Sequence, residues 1–285
     1  MFLMPLDLTL PTPLAYFAAL VQQDEGLPLL EAAASLAQDE TPELDVQQVL
    51  GQVDHLVARL RRRLSPDAEP VERLRAVNQL FFADLGFSGN VNDYYNPDNS
   101  YLDRVLHTRR GIPISLAVVW LELAQSVGLT VDGVGFPGHF LVQAQIEDGR
   151  VVIDPFTGQS LGRPELRERL EQFQIDPELA DSDATLAQCL RPTPPRQILA
   201  RMLRNLQDIH RTQRDWARLV LVQDRLVTLL PAAWSEYRER GLALAELGDT
   251  ERARADLGVY LREAAEAADH DAMAERLSAL GGAGP

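Results

Sequence analysis

Three short motifs constrain the fold of this chain more than any other feature. Arg109-Arg110-Gly111-Ile112-Pro113-Ile114-Ser115 predicts a helix start, because proline fits the first turn of a helix. Gly138-His139-Phe140 predicts the start of a strand, and Ile153-Asp154-Pro155-Phe156 the end of another. These three places can bring a nucleophile position, an imidazole and a carboxylate together. We therefore expect a cleft in which His139 is the base and Asp154 orients it.

The nucleophile of such a cleft is the open point. The first turn of the predicted helix holds one hydroxyl, Ser115, and no thiol, since Cys189 lies far downstream. Ser115 is either the nucleophile, near helix N–H groups that can stabilise an oxyanion, or a residue that only satisfies backbone donors. A thiol beside an imidazolium ionises readily, whereas a serine hydroxyl does not. A site built for a thiolate but carrying serine is therefore expected to have little activity.

A polar loop precedes this helix. It runs from about residue 86 to 100, and its Asn and Asp residues favour turns. Its two adjacent tyrosines either pack the loop down or line the cleft. The predicted cleft-lining residues are Asn92, Asp93, Tyr94, Tyr95, Asn99, Gly111, Pro113 and Gly138.

The flanking segments have clear periodicity. Apolar residues at helical spacing predict helices between about 12 and 85, and a helix with one buried stripe that ends at Gly128. Strands are predicted at Val131–Phe136, at His139–Ile146 and at Arg150–Asp154, with a hairpin turn at Glu147-Asp148-Gly149.

The C-terminal part contains an internal repeat. Residues 214–218 align with 248–252 at a period of about 34 residues, which is the tetratricopeptide helix–turn–helix spacing. A proline-rich linker, residues 191–195, precedes it. Because two repeats carry more apolar surface than they can bury between themselves, we expect them to dock on the rest of the chain or to dimerise.

Composition excludes several function classes. The formal charge of −15 argues against nucleic-acid binding, which needs a basic face. One cysteine excludes an internal disulfide framework and indicates a reducing cytosol. We expect no transmembrane helix, because no apolar run approaches about 20 residues. The first 13 residues make a poor signal peptide, and no motif indicates a metal or cofactor.

The chain resembles the bacterial SirB-type family, whose members join a transglutaminase-like domain to tetratricopeptide repeats. The resemblance rests on residues 92–102, 110–116 and 133–142 and on Asp154-Pro155-Phe156. It implies a papain-like core in which the nucleophile is normally the cysteine of a Gly-x-Cys helix start. Aligning Gly111 with that glycine puts the cysteine position at Pro113, so the resemblance implies a degenerate cleft, a pseudoenzyme.

Together these observations predict an α+β protein. It has an N-terminal helical region (1–85), a transglutaminase-like core with a small antiparallel sheet (86–190), and a helical repeat pair (195–280). We expect a cytoplasmic regulatory protein that binds a protein or peptide through cleft and repeats. Two alternatives are a hydrolase or acyltransferase using Ser115, His139 and Asp154, and a scaffold with a vestigial cleft.

Overall fold

The N-terminal region is helical, as the apolar spacing predicts. The computed structural model of the protein describes residues 11–147, 149–173, 176–180 and 182–281. Side chains of Thr12 and Asp45 accept backbone N–H groups and so cap the first and third helices. The helices of this region are α1 (Pro13–Leu20), α2 (Leu29–Ser35), α3 (Val46–Arg61) and α4 (Pro70–Asn78), which a π-helical turn (Gln79–Asp84) continues.

The helix that begins at the Gly-Ile-Pro motif is the centre of the core. Helix α5 (Leu102–Thr108) leads into it, and the helix itself, α6, spans Pro113–Ser126. The sequence predicted that one stripe of this helix is buried, but α6 is buried on almost every side. The cause is its surroundings: α2, α3, α4, α5 and the sheet all pack against it.

The sheet is small and antiparallel, and its four strands pair in chain order. The predicted strand containing His139 is too long at its start, because Pro137 and Gly138 form a turn and the His139 N–H donates to the Phe136 carbonyl at 3.0 Å. His139 therefore lies just ahead of its strand. The hairpin turn predicted at Asp148 falls on a residue outside the described part of the chain. The strands are β3 (Val131–Val134), β4 (Leu141–Ile146), β5 (Gly149–Ile153) and β6 (Ser160–Leu161).

Both faces of this sheet are buried. Phe140 and Val142 face the main core with α6, whereas Leu141 and Val152 face a second hydrophobic cluster. Residues after the sheet build that second cluster, through Leu166, Leu170, Ala180 and Leu186. They belong to α7 (Arg163–Gln172), α8 (Pro177–Ala180) and α9 (Asp183–Cys189).

A pair of two-residue strands ties the polar loop to the start of α6. β1 (Ser88–Gly89) runs parallel to β2 (Arg110–Gly111). The Gly89 N–H donates to the Phe156 carbonyl at 2.8 Å, and the Asn90 N–H donates to the Gly111 carbonyl at 3.0 Å. Backbone hydrogen bonds from this loop therefore hold the motif at Gly111 beside the motif at Phe156.

The C-terminal part is a stack of antiparallel helices. Gly241 lets two of them cross closely, because a methyl group there would lie 3.0 Å from Leu257 and 3.2 Å from the Ala253 carbonyl. These helices are α10 (Pro195–Gln213), α11 (Trp216–Leu229), α12 (Trp234–Glu246), α13 (Thr250–Glu263) and α14 (His270–Gly281).

The repeats dock on the rest of the chain, as predicted. Arg225 of α11 is 1% exposed and binds both oxygens of Asp39, at 2.6 and 2.7 Å. The linker is pinned as well, since the Thr193 N–H donates to the Gly133 carbonyl at 2.8 Å. Helix α10 shares one hydrophobic core with α2 and α6. The boundaries at residues 85, 190 and 195 stay predictions.

Candidate functional site

The polar loop is organised by one buried side chain, that of Asn99. Its amide donates to the carbonyls of Asp93 and Tyr94, at 2.7 and 3.1 Å, and its Oδ1 accepts from the Asn90 amide at 2.9 Å. Asn99 is 3% exposed, so these bonds replace water that the buried amide has lost. The effect is to hold Tyr94 and Tyr95 at the surface of the core.

Ser115 is bonded to backbone atoms at the start of α6. It is fully buried, and its Oγ lies 2.5 Å from the Asn99 carbonyl and accepts the Ile112 N–H at 3.2 Å. Gly111 fits tightly here, because a methyl group on it would come within 2.7 Å of that Oγ. This is the backbone-satisfying arrangement, and the Ser115 hydroxyl has no hydrogen bond to His139. The geometry therefore does not support Ser115 as a nucleophile.

His139 and Asp154 meet as their positions predict. The His139 Nε2 lies 2.8 Å from Asp154 Oδ1, with the imidazole 21% exposed and the carboxylate 1% exposed. Asp154 Oδ1 also accepts the Phe156 N–H at 2.9 Å, and Oδ2 accepts from Arg169 of α7 at 2.7 Å. Asp154 thus fixes the imidazole through Nε2.

The charges around Asp154 keep it ionised. Burial alone would raise its pKa, but the hydrogen bond and charge of His139, the Phe156 N–H and the charge of Arg169 together hold the pKa below its usual value. The result is a desolvated carboxylate with the His139 imidazole on one side and the Arg169 guanidinium on the other.

Aromatic rings surround this pair. The Phe156 ring centroid lies 6.3 Å from that of His139 and 6.0 Å from that of Tyr94. Gly138 adopts a left-handed φ of 62°, and a methyl group on it would overlap the Phe173 ring at 1.4 Å. Phe173 therefore packs against Gly138, which needs to be glycine on both grounds.

A cleft of about 410 Å³ opens between the polar loop and α10. Tyr94, Tyr95 and Ile112 form one wall, and α10 forms the other. The two tyrosine rings meet edge to face at 5.3 Å, and the Tyr95 side is largely in solvent, with 76% of the residue exposed. The wall from α10 consists of Asn205, Asp208, Ile209, Thr212 and Gln213.

The cleft uses few of the residues predicted to line it. Tyr94 and Tyr95 do line it, and Ile112 stands between the predicted Gly111 and Pro113. The other predicted residues do not, for distinct reasons. Asn92 and Asp93 are exposed on the outer side of the loop, Asn99, Gly111 and Pro113 are buried beneath it, and Gly138 lies under Phe173.

Two side chains from distant helices complete the site and were not predicted. Arg169 binds Asp154, and Arg201 of α10 donates to the His139 carbonyl at 2.8 Å. The helical spacing of positions 201, 205, 208 and 212 places Arg201 on the cleft-facing side of α10. That spacing was available in the sequence, but nothing in it shows that α10 lies across the cleft.

Within the described residues, no cluster of three or more His, Cys, Asp or Glu side chains is arranged to hold a metal ion. Cys189 is a free, partly buried thiol that packs on the second hydrophobic cluster, where burial raises its pKa. None of the described helices is long and apolar enough to cross a membrane.

Comparison with known proteins identifies two regions. Residues 47–204 match the model of the transglutaminase-like superfamily, and residues 206–278 match that of the tetratricopeptide repeat. No solved structure matches the chain.

Several bacterial proteins are similar over most of their length. A "UPF0162 protein" of Xylella fastidiosa (strain 9a5c) is 43% identical over 243 residues, which cover 84% of this chain and 85% of the relative. A UPF0162 protein of Pseudomonas aeruginosa is 28% identical, over 88% of this chain and 90% of the relative. The "UPF0162 protein YchA" of Escherichia coli (strain K12) is 25% identical, over 77% and 80%.

Proposed function

We propose that this chain, which belongs to the transglutaminase-like superfamily, is a cytoplasmic protein that binds a peptide segment of another protein in the cleft between its Tyr94–Tyr95 loop and α10. The observation that carries the proposal is the composition of that cleft. Tyr94, Tyr95 and Ile112 face one isoleucine and four polar side chains of α10. An apolar site with a few polar groups is the usual form of a ligand pocket.

The position of α10 supports this proposal. It is the first helix after the linker and leads into the repeats, so the cleft has one wall from the transglutaminase-like core and one from the helical stack. Tetratricopeptide stacks present extended surfaces to partners. A segment in this cleft would touch both parts of the molecule at once.

The start of α6 supports binding over catalysis. Pro113 occupies the position at which the resemblance places the cysteine, and the Ser115 hydroxyl is buried in backbone hydrogen bonds. His139 and Asp154 keep their mutual geometry. We propose that this pair now serves to hold the strand ends and the aromatic rings beside the cleft. The single free cysteine supports a reducing compartment such as the cytoplasm.

The test is peptide selection with the full chain. Random peptides are selected for binding, and bound peptides are re-measured on Asn205→Trp, which fills the cleft from α10. The matched control is Leu221→Trp, since Leu221 is 41% exposed on α11 and does not line the cleft. We expect affinity to fall at least about tenfold in the first variant, because the displaced contacts include two aromatic rings. Equal loss, or no loss, in both variants would contradict the proposal.

The scaffold alternative makes a different prediction in the same assay. There the repeats alone hold the partner, so selected peptides bind Asn205→Trp as tightly as the unaltered chain. Replacing Tyr94 and Tyr95 by alanine would then also leave affinity unchanged.

A further inference from the structure

Arg201 lies on α10 one turn before Asn205, a residue that lines the cleft, and two contacts fix its guanidinium. Its guanidinium donates to the His139 carbonyl at 2.8 Å and lies over the Phe140 ring at 5.6 Å from the centroid. Its charge also acts on Tyr94: burial raises the pKa of that tyrosine, and the charge of Arg201 lowers it. The charge therefore lies beside a tyrosine that lines the cleft.

Arg201 differs from the other arginines of the cleft helix in having no counter-ion. Arg196 pairs with Asp24, Arg204 with Glu236, and Arg211 with Asp208 and Glu239. Within the described part of the chain, no carboxylate forms an ion pair with Arg201. Burial lowers its pKa, which is the mark of a cation that has lost water without gaining an anion.

The chain segment 135–140 packs on α10 at Arg201: the guanidinium donates to the His139 carbonyl, and a methyl group on Gly135 would lie 3.4 Å from its Nη1. The linker is fixed there too, as the Gly135 N–H donates to Thr193 Oγ1 at 2.7 Å. A peptide lying along α10 towards Arg201 would have to end there, because the segment blocks its continuation.

We propose that the cleft binds the C-terminal end of a partner protein, with the terminal carboxylate bound by the Arg201 guanidinium. The inference rests on the proposed function, since it names the part of the peptide that the cleft takes. A guanidinium binds a carboxylate through two parallel N–H donors, which matches a planar terminal group. Asn205, one turn further along α10, offers an amide to the peptide backbone.

The charges further along the cleft fix the direction of the peptide. Beyond Asn205 the cleft is lined by Asp208, which is paired with Arg211, so among the described residues this end presents no unpaired cation to a carboxylate. The net charge of −15 acts in the same sense at long range. The ligand is therefore a C-terminal segment with neutral or basic side chains. The only negative charge that binding requires is that of its terminal carboxylate.

The test uses two peptide libraries and the full chain. One library presents free C-termini and the other presents the same random peptides internally, followed by a constant tail. The peptides with the highest affinity are synthesised as the free acid and as the C-terminal amide. We expect the amide to bind about tenfold to a hundredfold more weakly, the range for a hydrogen bond to a charged group.

Variants at Arg201 give the second arm. Arg201→Gln removes the charge and should abolish the preference for the acid over the amide, whereas Arg201→Lys should restore part of it. Arg254→Gln is the matched control, because Arg254 is exposed on α13 and its loss changes the net charge equally. Circular dichroism and thermal unfolding establish that each variant is folded.

The outcomes separate the inference from the proposed function. If selected peptides lose binding in Asn205→Trp but bind equally as acid and amide, the cleft binds peptides and the terminal-carboxylate inference is overturned. Equal binding of internal and terminal peptides overturns it as well. If neither library yields peptides that Asn205→Trp weakens, both proposals fail together.

Discussion

Replacing Asp154 by asparagine tests how far the buried carboxylate holds the site together. The carboxylate is 1% exposed and accepts from His139, Phe156 and Arg169. Asparagine keeps the size of the side chain but loses its charge. Its NH₂ group must face one of the three donors, which leaves both that donor and the NH₂ group without an acceptor. Removing one member of a buried ion pair lowers the free energy of unfolding by about 3 kcal/mol or more.

The partner Arg169 should matter less. Its side chain is 24% exposed, so water replaces part of what it loses, and His139 and the Phe156 N–H still hold the carboxylate. We expect Arg169→Gln to lower the free energy of unfolding by about 1 kcal/mol. The double variant should cost clearly less than the sum of the two, because both remove the same interaction.

Urea unfolding followed by circular dichroism measures these values. The matched control is Asp183→Asn, the same substitution in an exposed ion pair. The Asp183 side chain pairs with Arg163 and is 88% exposed. It should change the free energy of unfolding by less than about 0.5 kcal/mol. If Asp154→Asn were as mild as Asp183→Asn, the argument that Asp154 is a desolvated anchor would be refuted.

Three further predictions follow from the same contacts. The pKa of Asp154 is lower in the folded state, so the stabilisation by its carboxylate is complete above the unfolded pKa of about 3.9 and is lost as the pH falls through the folded pKa. The difference in free energy of unfolding between the unaltered chain and Asp154→Asn should therefore shrink only below about pH 4. A difference that shrinks from neutral pH downward would contradict this. Gly111→Ala should lower the free energy of unfolding by about 1–3 kcal/mol, because the added methyl meets Ser115 Oγ at 2.7 Å. Gly51→Ala, in open space on α3, should raise the free energy of unfolding by about 0.5–1 kcal/mol. If the two variants had similar effects in thermal unfolding, the close-packing argument would be refuted. A fluorophosphonate probe should not label Ser115, which is fully buried; labelling that Ser115→Ala abolishes would revive the serine hydrolase alternative.

The parts of the site that follow from local pattern were predictable. His139 follows a Gly turn just before a strand, and Asp154 ends the neighbouring strand, so the antiparallel pairing of β4 and β5 brings them together. The family resemblance and the repeat spacing predicted the transglutaminase-like core and the helical stack, which the comparisons confirm. Each of these depends on short-range order along the chain.

The parts that depend on packing between distant segments were not predictable. Whether Ser115 faces the cleft is decided by Asn99, whose carbonyl takes the hydroxyl, and Asn99 belongs to a separate loop. The sheet buries its second face only because α7, α8 and α9 cover it. Likewise, Arg201 acquires its place because α10 docks beside His139, a contact between residues 62 positions apart.

Site-specific photo-crosslinking tests the central claim, the binding of a peptide at the cleft, most directly. Benzoylphenylalanine in place of Tyr95, which is 76% exposed on the cleft wall, is compared with the same residue in place of Leu221, which is 41% exposed on α11. Irradiation with a peptide selected by the full chain should yield a covalent adduct at position 95 and little at position 221. The adduct should disappear when Asn205→Trp fills the cleft. An adduct at position 221 as strong as at 95, or one at 95 that persists in Asn205→Trp, would contradict the account.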